Sequence, residues 1–206
     1  QSGKSLALIS DAGTPLISDP GFKLIDYLQE NDIKVVPIPG ASSLIAALSA
    51  SGMPTDTFYF GGFLPSTAGK LDKALESVKP IKSTLVFFEG PSRVLKTLKA
   101  IEHVFGNVEV CAARELTKIY EEIKRDEVTA LIKHFETKNE VKGEFVIMIN
   151  NRVTTELKDE EIIAKINVML KTMSMKDAVE SIAQGFDIPK KRVYALGLRV
   201  LNVRGS

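Results

Sequence analysis

One cysteine, two histidines and a net charge of only +1 leave this chain few routes to chemistry or to a partner. A lone cysteine excludes any disulfide within the chain. Lying inside the apolar run "VEVCAA", Cys111 reads as a buried structural thiol suited to a reducing compartment. With 27 basic against 26 acidic residues, no field of one sign surrounds the molecule, so a nucleic-acid surface has to be a local patch. No apolar stretch approaches the roughly 18 residues of a membrane span, and the opening "QSGKS" lacks a signal-peptide core, so a soluble, cytoplasmic protein is expected. His103 ("AIEHVFG") and His134 ("IKHFE") sit towards helix C-termini, where histidines are ordinary, and no metal-ligand spacing appears. Two phosphate-binding signatures are also missing: no glycine-rich loop ends in Gly-Lys-Ser/Thr, and no G-x-G-x-x-G is present.

What is there is alternation. The chain has 206 residues, 44% of them hydrophobic, enough for a substantial core. Short β-branched or aromatic runs predict strands at 5–10 ("SLALIS"), 34–39 ("KVVPIP"), 57–63, 83–89, 108–113 and 144–150, with a weaker one near "YEEIKR". Helical periodicity fills the intervals, at about 20–30, 41–51, 67–78, 92–104 and 127–135. The pattern predicts an α/β fold with a largely parallel sheet covered by helices, and ligands at the strand C-termini. Beyond the polar stretch "NNRVTTELKDEE" only helical periodicity remains. Three regions are expected: an α/β half at 1–55, a second at 56–150, and a linker with a small helical module at 151–206.

Two loops have a shaped character. "SDAGTPLISDPG", Ser10 to Gly21, holds two glycines, two prolines, two aspartates and no cation. Its glycines permit backbone conformations that other residues resist, and its prolines fix φ. "PIPGASSL" follows the next predicted strand, with Ser42 or Ser43 placed to cap a helix. Two such loops on one sheet edge make a cleft, although on spacing alone each also reads as an ordinary tight turn. Asp11, Asp19, Glu89 and Glu115 lie in these and similar motifs, whereas Glu121, Glu122 and Glu136 sit in charge-rich stretches that read as solvated surface. In the tail, Ser174 followed by Asp177 matches a capping box ahead of the apolar positions Ala178, Ile182 and Ala183, with Gly185 ending that helix and Pro189 opening the next. From Pro189 onward there are five cations and no acid.

"SDAGTPLISDPG", "PIPGASSLIAAL", "GGFLP", "FFEGPSR", "ARELTK" and "GEFVIMI", in this order, resemble the ribosomal RNA small subunit methyltransferase I family. That family is a branch of the tetrapyrrole-methylase-like enzymes that use S-adenosylmethionine (AdoMet). The resemblance implies two α/β halves of the tetrapyrrole methylase type, the first truncated, and a helical C-terminal module similar to a helix-turn-helix. It implies a homodimer that methylates the ribose 2′-hydroxyl of a cytidine in small-subunit (16S) ribosomal RNA. Carried over motif by motif, it places AdoMet against Ala12, Gly13, Thr14, Ile17, Ser42, Ser43, Phe88, Glu89, Ala112, Ala113, Glu144 and Phe145. For Phe88 and Ala112 a plain core position is the competing reading. Glu89 and Glu115 are the candidate acid/base or orienting carboxylates. Arg93, Arg114 and Lys118, with Lys190, Lys191 and Arg192 in the tail, are the candidate RNA-phosphate contacts, salt bridges within "ARELTK" being the alternative. Members of the family carry a further segment ahead of "SLALIS", so the chain reads as a fragment with little or no activity alone. Two other functions stay open: methylation of a tetrapyrrole or other small molecule on the same fold, and a non-catalytic RNA-binding or assembly role.

Overall fold

A computed structural model describes residues 3–138, 140–152, 159–186 and 188–204. They form two compact units, Gln1–Asn151 and Arg152–Ser206.

In the first unit the elements run α1 (Phe22–Glu30), α2 (Ser43–Ser51), β1 (Phe58–Phe63), α3 (Ala68–Val78), β2 (Thr84–Glu89), α4 (Val94–Phe105), β3 (Glu109–Arg114), β4 (Glu122–Glu127), α5 (Val128–Glu136) and β5 (Phe145–Asn150). The five strands make one sheet in the order β1-β2-β5-β3-β4. Only β1 and β2 pair in parallel; β5 runs antiparallel to both β2 and β3, and β4 antiparallel to β3. The expectation of a largely parallel sheet is therefore corrected to a mixed one. The helical crossovers through α3 and α4 do keep β1, β2 and β3 pointing one way, which is what the alternation reflects. The loop 115–121 is too short for a crossover, so β4 has to fold straight back on β3. The last strand, β5, then inserts between β2 and β3. Its apolar run "FVIMI" suits that central place, since every one of those five residues is buried.

The pleat sends alternate residues to two cores. On one face Leu85, Phe87, Val110, Ala112, Phe145, Ile147 and Ile149 meet α3, α4 and α5 through Leu71, Leu75, Leu98, Ile101, Leu131 and Phe135. On the other, Val86, Cys111, Ala113, Val146 and Met148 pack against Leu44, Ala47, Leu48 and Met53 of α2 and its C-terminal turn. Burial pushes the Cys111 thiol up to about 11, which leaves it inert at neutral pH.

The predicted strands at 5–10 and 34–39 do not form: neither segment carries strand structure, and Leu6 and Ile38 are 94% and 81% exposed. A strand exists only where a neighbour satisfies its backbone, and the sheet's five strands all lie between Phe58 and Asn150.

The second unit holds α6 (Asp159–Met169), α7 (Met175–Phe186) and α8 (Lys190–Arg204) around a core of Ile162, Ile166, Val179, Ile182, Val193, Leu196 and Val200. Ser174 Oγ accepts the Asp177 N–H at 3.2 Å and donates to the Asp177 carboxylate at 2.6 Å, so Ser174 caps the helix while Asp177 meets its hydroxyl. The helix runs to Phe186, one residue past Gly185.

Candidate functional site

The antiparallel insertion of β5 gathers the motifs. Phe88 pairs with Val146 and Val146 with Ala113, while Phe145 lies opposite both Glu89 and Arg114. The ends of β2 and β3 thus meet the start of β5 at one end of the sheet. β1 is parallel to β2, so its Gly62 and Phe63 end there as well. The loop 10–21 reaches the same place: a β-carbon on Gly62 would stand 3.4 Å from Ser18 Oγ.

That loop is internally braced. Ser10 Oγ lies 3.2 and 2.9 Å from the Ala12 and Gly13 carbonyl oxygens, and Gly13, Leu16, Ser18 and Gly21 all have positive φ. Thr14 Oγ1 donates to the Ala41 carbonyl oxygen at 3.0 Å, joining the opening loop to the turn before α2. Ser42 occupies the N-cap position of α2 with extended backbone but makes no side-chain capping bond, and Ser43 is exposed in the first turn. Ala12, Gly13, Thr14 and Ile17 are exposed too.

The strand-end residues divide by face. Phe88 is half-buried among Phe60 and Phe63, with edge-to-face ring centroids at 4.9 and 5.5 Å, on the α2 side with Ala113. Ala112 and Phe145 lie on the opposite face, each 1% exposed in the α3–α5 core. Glu144 is open to solvent.

Glu89, Glu115 and Glu122 are all engaged. Glu89 is buried; Oε1 takes the Gly90 N–H at 2.7 Å and an Arg93 ion pair at 2.6 Å, and Oε2 takes the Thr97 hydroxyl at 2.6 Å. It ties the first turn of α4 to β2. Glu115 has a positive φ of 48° and receives the Lys118 ammonium at 2.9 Å and the Glu144 N–H at 3.1 Å. The Lys118 hydrogen bond, then the Glu144 amide, hold its carboxyl below the usual range, and the Glu115 hydrogen bond raises Lys118 in turn. Glu122, expected as solvated surface, is instead partly buried: Oε1 meets His134 Nε2 at 2.7 Å, and Oε2 meets Lys138 and Arg114 at 2.5 and 2.8 Å. Burial pushes its carboxyl up, but the Lys138 and His134 hydrogen bonds outweigh that and the net shift is downward.

The candidate RNA contacts are mostly paired. Arg93 and Arg114 are held by Glu89 and Glu122, and Lys118, with half its side chain exposed, by Glu115. In the second unit Lys190 pairs with Glu180 at 2.6 Å and Arg192 with Asp159 at 2.8 Å, whereas Lys191 is exposed and has no partner among the described residues.

Sequence reasoning missed the tip of the 115–121 loop. Glu115 and Thr117 at positive φ, the Thr117 N–H bonded to Glu121 Oε2 and the Lys118 N–H bonded to the Glu115 carbonyl hold Ile119 and Tyr120 out, 91% and 69% exposed. No glycine or asparagine marks those left-handed positions.

The sequence profile described as Tetrapyrrole (Corrin/Porphyrin) Methylases matches residues 1–132. A protein of Rickettsia prowazekii (strain Madrid E) named Ribosomal RNA small subunit methyltransferase I is 41% identical over 199 residues, covering 95% of this chain and 71% of that one. The chain belongs to the ribosomal RNA small subunit methyltransferase I family. A family member from Vibrio cholerae is 40% identical over 97% of this chain and 71% of its own, and one from Mesorhizobium japonicum 46% identical over 72% and 51%. The solved methyltransferase CobJ shares the fold, at 16% identity and a TM-score of 0.50 over 68% of this chain and 62% of that one. The family members are AdoMet-dependent methyltransferases, and this chain is an enzyme of that class.

The sheet end suits such a cofactor. AdoMet carries a sulfonium, a flat adenine and an amino-acid end; the braced loop has no cation to repel the first, and Phe88 with Phe60 and Phe63 offers an apolar aromatic wall. Of the residues carried over for the cofactor, Ala12, Gly13, Thr14, Ile17, Ser43 and Glu144 are exposed and Ser42 and Phe88 partly so. Glu89, Ala112, Ala113 and Phe145 are buried.

Proposed function

We propose that this chain transfers the AdoMet methyl group to small-subunit ribosomal RNA, at the ribose 2′-oxygen of a cytidine, as a homodimer in the cytoplasm. The observation that carries this reading is the meeting of six separated motifs at one end of one sheet, in a chain whose relatives are named for that RNA. Bound AdoMet supplies an activated methyl on its sulfonium. The protein's work is therefore alignment and exclusion of water, since placing the reacting atoms in line supplies most of what such a transfer needs. The Ser10–Gly21 loop, held to Ala41 through Thr14, shapes one side; Ser42 and Ser43 flank it at the start of α2; Phe88 floors it, and Ala113 lies buried beneath α2 on the same face of the sheet. Glu89 and Glu115 act as orienting groups, the first fixing α4 against β2 and the second fixing the turn at Gly143–Glu144. Lys118, the most open of the three cations of the first unit, is placed to meet a phosphate.

The test is to incubate the chain with methyl-labelled AdoMet and unmodified small-subunit RNA, then to hydrolyse the RNA in alkali. A 2′-O-methyl blocks cleavage of the adjoining phosphodiester, so whatever label is incorporated is expected in alkali-resistant dinucleotides. Label in ordinary mononucleotides, which marks a methylated base, or on a tetrapyrrole offered in place of RNA, overturns the reading. Gly13→Val probes the site itself, because it places a branched side chain at φ +74° in the braced loop. AdoMet affinity is expected to fall at least tenfold with the melting temperature of the sheet unit little changed. Unaltered affinity would remove the loop from the site.

A further inference from the structure

The three clustered cations that open α8 point three ways. At 100° per residue, Lys190 leans towards α7 and Arg192 towards α6, where Glu180 and Asp159 hold them. Lys191 lies between and begins a stripe at i, i+3, i+4 and i+7: Lys191, Tyr194, Ala195 and Leu198, all exposed, while Val193, Leu196 and Val200 fill the core. A tyrosine 49% exposed and a leucine 43% exposed are a poor use of a helix face unless something covers them.

Tyr194 also borders a groove. Lys190, Lys191 and Tyr194 of α8 form one wall and Lys176, Val179 and Glu180 of α7 the other, around a cavity of about 340 Å³. Three ammonium groups face one carboxylate there. Glu180 is paired with Lys190, and this lysine holds its carboxyl below the usual range. Lys176 and Lys191 have no ion-pair or hydrogen-bond partner among the described residues. With three ammonium groups to one carboxylate, whose field Lys176 shares, the groove keeps an excess of positive charge beside the apolar and aromatic side chains of Val179 and Tyr194. An acidic peptide would satisfy the cations and leave the ring unused; a single-stranded nucleic acid uses both, with phosphates on the lysines and a base on the ring.

We propose that the α7–α8 groove is a second RNA-binding site, in which a single-stranded segment stacks a base on Tyr194 and lays its phosphates on Lys176 and Lys191. This rests on the RNA substrate proposed above and adds a contact surface separate from the sheet-end site. Lys190 and Arg192 serve the packing of the helices rather than the RNA.

The experiment is fluorescence anisotropy of a labelled single-stranded ribo-oligonucleotide of about a dozen residues with the full chain, over a series of salt concentrations. AdoMet titration is run on every variant. For Lys176→Ala with Lys191→Ala, the slope of log affinity against log salt should become shallower by about 1.4, two phosphate contacts at about 0.7 each. Tyr194→Ala should weaken binding on the order of tenfold and Tyr194→Phe should restore it, because stacking needs the ring and not the hydroxyl. Lys73→Ala with Lys82→Ala, two exposed lysines of the first unit, removes the same charge elsewhere and should leave the slope alone. The inference is overturned if Tyr194→Ala binds as the parent does, or if the two lysine pairs shift the slope equally. It is also overturned if poly-glutamate binds as tightly as RNA, which would mark a protein site. Absence of RNA binding by the parent chain would sink the substrate reading as well. RNA binding that survives every groove variant, with AdoMet binding intact, would sink the groove alone.

Discussion

Gly143 shows how one residue governs the candidate site. It holds φ +91°, and a β-carbon there would overlap the side chain of Glu115. Gly143→Ala should therefore dislodge the Glu115 carboxylate from the Glu144 amide and cost about 1–2 kcal/mol from the left-handed backbone alone. Urea denaturation measures the loss, and a stability equal to the parent's would show that the turn relaxes freely. Glu122 yields a pH prediction. Its carboxyl, and those of Glu109 beside Arg125 and Glu115 beside Lys118, are lowered in the folded protein. A lowered carboxylate stabilises the fold above its unfolded value, near 4.3–4.5, and loses that contribution as pH falls through the folded value. Stability should be flat from neutral pH down to about 5 and then decline on acidification. Glu122→Gln should flatten that decline, and an unchanged acid limb would mean the cluster around Glu122 contributes nothing.

At the scale of elements, helix starts carry the polar stakes. Glu89 binds the Gly90 amide, Arg93 and Thr97 at the first turn of α4, so Glu89→Ala leaves buried donors without an acceptor. The expected loss is about 2 kcal/mol in thermal or urea unfolding, accompanied by faster exchange of the first α4 amides. Loss of methyl transfer with stability untouched would give Glu89 a direct chemical role instead. α7 depends on Ser174 in a simpler way: Ser174→Ala removes the cap of the Asp177 N–H and should cost about 1 kcal/mol. No change in the unfolding of the helical unit would show that water replaces the hydroxyl at no cost.

For the whole molecule, the apolar surface of the first 41 residues matters most. Leu6, Ile9, Phe22, Tyr27, Val36 and Ile38 are each more than half exposed, and α1 buries none of its residues. Edge strand β1 adds Phe58 and Phe63, both exposed. Soluble proteins seldom leave so many large apolar side chains in water. The chain should elute in gel filtration well above its 22.5 kDa and bind an apolar dye. Ile9→Lys with Ile38→Lys should reduce both; monomeric elution of the parent would show that this surface stays open.

The sequence by itself determined the helices, which fall within two or three residues of their predicted bounds. Five strands and the family were equally legible, because hydrophobic period and motif order are local properties of the chain. Helix α7 shows this well: Ser174, Asp177, Ala178 and Ile182 specify its cap and inner face with no reference to any neighbour. The strands at 5–10 and 34–39 were misread for the opposite reason, since an apolar run becomes a strand only when another strand lies beside it. Tertiary structure alone decided that β5 enters between β2 and β3, and so which motifs meet. It also decided that Glu122 meets Arg114, Lys138 and His134, and that among Lys190, Lys191 and Arg192 only the middle one lacks a partner among the described residues. Those outcomes depend on residues brought together from distant parts of the chain, and the direction in which a strand inserts is not written in its own side chains.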